Sequence, residues 1–258
     1  MKGTRHAAWI STLVLLGPSP VTAEPLDRIE VDSSASIGSF SSYYGDLSVT
    51  LSPFAPYYES GFKLRFSASD THYSYPGDLA RTFISKGNDI QTDFLLGYGF
   101  EFNDRWSLTL LTGPTVVWSH QMPGSSLLPS IDTTEVGAKT VASVYATPTD
   151  QTMFYAQGAF SSVHSIYYTQ AKFGGALWPS IYVGPEVALT GRVVVGGVHS
   201  MDPFSATSFD ITIQQWKVGA FISGLQIGPM QFGVSAGFLN DLQQGNGAYV
   251  GTSIRATF

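Results

Sequence analysis

From about residue 28 to the last residue, the chain alternates apolar and polar side chains with a period of two. That period puts successive side chains on opposite sides of a strand, so each run predicts a strand with one apolar and one polar face. Tyr43, Leu47, Val49 and Leu51 share a face against Ser42, Asp46, Ser48 and Thr50. Phe62, Leu64 and Phe66 alternate with Lys63, Arg65 and Ser67, and Phe94, Leu96, Tyr98 and Phe100 with Asp93, Gly97, Gly99 and Glu101. Comparable runs start near Trp106, Val136, Phe154, Tyr167, Ile181, Trp216, Phe232 and Val250, which makes eleven clear strands.

The connections carry a second pattern. Short links at Asn103-Asp104, 147–151, Trp178-Pro179 and 227–229 alternate with long ones at 73–88, 119–132 and 191–212, apart from a short link near Val163 to Ser165 that falls on the long-loop side. Bacterial single-chain barrels have an even number of strands, short turns on one side of the membrane and longer loops on the other. Counting back from Phe258, that alternation requires one more strand, which residues 27–36 supply with Ile29 and Val31 against Glu30 and Asp32. The expected fold is all-β, an antiparallel transmembrane outer-membrane β-barrel of about twelve strands, with ten as the fallback.

Composition separates this barrel from a soluble β-sandwich, which also alternates. Charged residues are 12% of the chain, about half the usual quarter of a soluble domain, while hydrophobic residues are 43% and aromatics 14%. A chain so poor in charge either has very little aqueous surface or presents much of its surface to lipid. No later window approaches 18 consecutive apolar residues, so strands, not helices, must do the spanning. The polar faces carry Gly, Ser, Thr, Gln and charges of both signs, as a barrel interior does. Aromatics gather at strand ends (Tyr73, Tyr75, Phe100, Phe102, Trp106, Trp118, Trp178, Trp216), and the last strand ends on Phe258 with Ala256 two positions before it.

The first 23 residues read as a signal peptide: Lys2 and Arg5, then the apolar run 7–16, then Val21-Thr22-Ala23 before Glu24. Cleavage is expected after Ala23, with export through the general secretion pathway of a Gram-negative bacterium and residues 24–258 forming one barrel. Without cysteine, disulfides and thiolate metal sites are excluded. The mature part keeps 11 of 13 Lys+Arg and all 19 Asp+Glu, so its formal charge is 11 − 19 = −8, which argues against a nucleic-acid partner.

Candidate chemistry is sparse. His72, His120, His164 and His199 fall near strand ends or in the outer loops without metal-ligand spacing, and no nucleophile elbow or phosphate loop occurs. They read as solvated loop residues. No catalytic residue, cofactor or metal is expected. Charges on the polar faces say more, because Arg or Lys facing lipid at mid-membrane costs about 2 to 4 kcal/mol. The expected lumen charges are Lys63, Arg65, Asp93, Glu101, Glu135, Lys139, Lys172, Glu186, Lys217 and Arg255, with Glu30, Asp32 and Asp46 on the same faces. Their mixed signs suggest an interior closed by ion pairs and tyrosines in preference to a selective channel. Pro185 after Gly184 reads as a bulge, since proline cannot donate to a ladder, leaving Glu186 to project inward toward Lys172 or Lys217.

Three stretches carry a family resemblance: Tyr182-Val183-Gly184-Pro185-Glu186; Trp216-Lys217-Val218-Gly219 followed by Gly224-Leu225 and Gly228-Pro229; and the ending from Gly247-Ala248-Tyr249 to Phe258. Together they resemble the cellulose biosynthesis protein BcsS family, with weaker echoes at Tyr43-Tyr44-Gly45 and Leu96-Gly97-Tyr98. The resemblance implies a non-enzymatic outer-membrane accessory of cellulose or other exopolysaccharide production, acting in export or surface anchoring beside other cellulose secretion components. Tyr73, Tyr75, Trp118, Tyr167 and Tyr168 are candidate glycan-stacking aromatics, although an interface girdle needs the same residues. A general pore and a lipid-modifying enzyme are the competing readings.

Overall fold

The computed structural model describes residues 28–39, 42–76, 84–124, 129–195, 209–242 and 244–258. The proposed signal segment and His199 lie outside these residues. The strands are β1 (Ile29–Gly38), β2 (Ser42–Leu51), β3 (Gly61–Pro76), β4 (Ile84–Asn103), β5 (Trp106–Met122) and β6 (Ile131–Thr149). They continue as β7 (Thr152–Ser161), β8 (Ile166–Trp178), β9 (Ile181–Val195), β10 (Phe209–Ile227), β11 (Met230–Asp241) and β12 (Gly245–Thr257). Each pairs antiparallel with its neighbours in sequence, and β1 pairs with β12 to close the ring, so twelve strands leave no sheet edge. The strand expected at 27–36 is β1, displaced by two residues.

Closure explains the composition. With every strand paired, backbone groups are satisfied within the wall, and the outer face is free to be apolar. Leu47, Phe66, Phe94, Leu96, Tyr98, Leu110, Val136, Val218, Val234 and Val250 all point outward and are exposed. Phe66 and Phe94 meet across β3 and β4 at 4.8 Å between ring centroids, and Trp216 meets Phe238 across β10 and β11 at 5.4 Å. Phe100, Phe102, Trp106, Trp178 and Phe258 stand exposed near the end with the short turns, where an interfacial girdle belongs.

The long connections are shorter than their sequence suggests, because strands continue into them. β3 runs to Pro76, β4 begins at Ile84 and β5 and β6 reach Met122 and Ile131. A tilted strand crosses the hydrocarbon in about 9 to 11 residues, whereas β4 has 20. Its far half therefore stands in water, where Ser85, Lys86 and Asn88 replace the apolar alternation. The rim is uneven: β3 to β6 and β9 to β10 rise as ribbons, while β7 has 10 residues and β8 has 13.

No bulge forms at Gly184-Pro185. Both residues stay in register with β10, opposite Phe221 and Ala220. Toward β8 the ladder is interrupted at this point but resumes in the same register. A Cβ on Gly184 would lie 1.9 Å from the Phe173 carbonyl oxygen, so only glycine admits this approach of the β8 backbone. Gly113-Pro114 in β5 repeats the arrangement, 2.0 Å from the Phe94 carbonyl.

Candidate functional site: the charged lumen

The register puts Lys63, Arg65, Asp93, Glu101, Glu135, Lys139, Lys172, Glu186, Lys217 and Arg255 all on the inner side of the wall. Glu101 and Glu135 sit at opposite rims and are exposed. Lys63 bonds into the link between β2 and β3, and the remainder form three groups.

The first centres on Asp93, which is buried and accepts hydrogen bonds from Thr115 at 2.6 Å, Gln91 at 2.7 Å and Ser67 at 2.8 Å. Lys139 reaches it from β6, at 2.6 Å. A charge-assisted bond backed by three neutral donors satisfies the carboxylate fully. The second centres on Glu186, held by the Tyr249 hydroxyl at 2.5 Å and by Lys172 at 3.3 Å. Lys172 also stands 5.4 Å from the Phe221 ring centroid, and Lys217 the same distance from that of Tyr249. The third lies near the short turns: Arg255 on β12 donates to Asp32 at 2.8 Å and lies 3.5 Å from Glu30, both on β1. Arg65 donates to Ser48 at 2.7 Å, and Ser34 donates to Asp46.

Tyrosines fill much of the remaining inner wall. Tyr44, Tyr73, Tyr145, Tyr155, Tyr168 and Tyr249 all occupy inward positions. Tyr44 on β2 and Tyr168 on β8 face the lumen from strands on opposite sides of the ring. Tyr44 is nevertheless 40% exposed and Tyr145 38%, so the interior retains open space beside them. One arc of the wall is dry, with Leu95, Leu111 and Val141 packed inward on adjacent strands beside Ala159.

The five candidate stacking aromatics separate. Tyr73 and Tyr168 face the lumen, whereas Trp118 and Tyr167 point outward. Tyr75 lies in β3 opposite Ser85, its side chain outside the described residues. Two of the histidines belong to strands and not loops: His72 stacks on Tyr43 at 5.3 Å between ring centroids, and His120 pairs with Asp132 at 2.5 Å. His164, in the short turn Val163–Ser165, contacts Glu135 at 2.8 Å. Among the described residues no three His, Cys, Asp or Glu side chains converge as metal ligands. Sequence reasoning did not single out Tyr44, Tyr145, Tyr155, Tyr249 or Phe221 as part of the site. The available signal was a tyrosine on the polar register of its strand.

An even-numbered closed antiparallel barrel, apolar outside and charged within, short-turned at one end, is a transmembrane barrel of the outer-membrane class. Solved structures agree on the fold. The transport unit of the autotransporter AIDA-I from Escherichia coli matches with a TM-score of 0.51 at 8% identity, covering 89% of this chain and 89% of that one. The beta domain of the Bordetella autotransporter BrkA matches with 0.50 at 9% identity over 90% and 99%. The chain belongs to the cellulose biosynthesis protein BcsS family, which it matches over residues 36–193 and 203–258. No curated protein matches it.

Proposed function

We propose that this protein is a non-enzymatic accessory of bacterial cellulose production, seated in the outer membrane and assisting export or surface anchoring of the glucan. The family match along most of the chain carries the reading, and a barrel able to span the outer membrane supplies a suitable location. The three best-formed carboxylate groups, at Asp93, Glu186 and Glu30/Asp32, are each engaged by a cation, which favours a structural role for them over acid–base work. Tyr73, Tyr168 and Tyr44 offer ring faces and hydroxyls toward the lumen, chemistry suited to a sugar chain, and Trp118 and Tyr167 suit the interface girdle. Export by way of a signal cleaved after Ala23 belongs to the same proposal; the mature protein should begin at Glu24.

Deleting the gene tests the role. Extracellular cellulose should fall while glucan synthesis by inner-membrane vesicles stays unchanged, and undiminished extracellular cellulose would refute the proposal. Replacing His72, His120, His164 and His199 in turn should leave lipid A and phospholipid profiles unaltered; a changed profile would instead indicate lipid chemistry.

A further inference from the structure

Four links at the short-turn end are two residues long, at 104–105, 150–151, 179–180 and 228–229. Two residues suffice for an antiparallel hairpin. The fifth, between β2 and β3, runs from 52 to 60. Its surplus chain folds back into the barrel. The Tyr57 hydroxyl donates to the Glu30 carboxylate, which projects into the lumen from β1. Burial, and then the Glu30 charge, push the Tyr57 phenol well above its ordinary range, so it remains a donor.

Lys63 locks the segment from above. The residue is 2% exposed, and its ammonium donates to the Tyr57 carbonyl at 2.5 Å, the Ser52 hydroxyl at 3.0 Å and the Glu59 carbonyl at 3.4 Å. The same ammonium lies 4.7 Å from the Tyr57 ring centroid. An ammonium has three donors, and all three are spent on this one link. The link is tethered at both ends: Arg28 donates to the Pro53 carbonyl at 3.3 Å, and the Glu101 backbone N–H donates to Ser60 at 2.7 Å.

We infer that residues 53–59 form a built-in plug that narrows the short-turn mouth of the lumen, and that withdrawing it opens an aqueous path through the barrel. That mouth faces the periplasm by the orientation rule for such barrels. Open space persists toward the far end of the interior at Tyr44, and beside the narrowed mouth at Tyr145 and the Arg255 side chain, which is 42% exposed within the ring. Withdrawal also frees the Lys63 ammonium into the mouth, so the opened path favours anions more than the plugged one.

Single-channel conductance of the purified full-length protein in planar bilayers tests this. Three forms are compared: wild type, Tyr57→Ala, and a form in which 53–59 is replaced by Asn-Gly. Folding is checked by the compact mobility of unheated protein in SDS. Wild type should conduct weakly and intermittently. The shortened form should show a steady conductance several-fold larger, shifted toward anions, with Tyr57→Ala between the two. A folded shortened form that conducts like wild type would overturn the proposal. Should the shortened form not fold, wild-type conductance from Tyr57→Ala has the same force. Cellulose yield plays no part in the readout, so the plug and the proposed role stand or fall separately.

Discussion

Lys139 and Arg105 both pair with an aspartate, and their settings predict opposite consequences of removal. Lys139 meets Asp93 inside the wall, where the carboxylate is buried and the cation mostly so; Arg105 meets Asp150 in an exposed turn. Stripping the partner from a buried charge costs about 3 to 5 kcal/mol, a cost softened here by the three neutral donors on Asp93. Lys139→Met should therefore lower the temperature at which the barrel loses its compact mobility in SDS, whereas Arg105→Ala, an exposed pair worth about 0 to 1 kcal/mol, should leave it unchanged. Alternation made the side of each strand charge legible, because period two assigns a face to every residue. It could not resolve adjacent residues of similar character. Tyr167 and Tyr168 look equivalent in sequence yet point to opposite sides. In Phe94-Leu95-Leu96 the middle residue enters the lumen and joins a dry cluster with Leu111 and Val141, a contact between strands that no single run records.

At the scale of the element, the number of strands was readable and their lengths were not. Hydrophobic alternation marks only the stretch within lipid, so β3 to β6 continue past it as polar ribbon that resembles loop. Proline misled in the opposite direction: Pro185 sits in register because Gly184 lets the neighbouring backbone move in close. Gly184→Val should sharply reduce the yield of folded barrel, since its Cβ would collide with the Phe173 carbonyl; Pro185→Ala should not. Leu96, outward on β4 and exposed, tests the lipid face. Leu96→Arg should destabilise the barrel by about 2 to 4 kcal/mol in urea unfolding from lipid vesicles, and a shift much below that range would mean that Leu96 lies away from the membrane centre.

For the molecule as a whole, ring closure joins residues from the two ends of the chain: Glu30 lies opposite Thr257 and Gly38 opposite Tyr249. Contacts so distant in sequence form slowly, because loop entropy opposes them before any contact compensates. Removing residues 28–38 should leave a sheet with two open edges that fails to reach the compact form and aggregates. The join also has its own ionic clasp, Arg255 reaching from β12 to Asp32 and Glu30 on β1. A strand slipped by one residue would turn Asp32 toward lipid and leave the guanidinium unanswered. The charge match thus makes a seam slipped by one residue less stable than the registered one, and so easier to undo. Refolding of Arg255→Leu into vesicles, followed by compact mobility over time, should show a slower final step and a fraction trapped short of closure, while Arg105→Ala refolds at the rate of wild type.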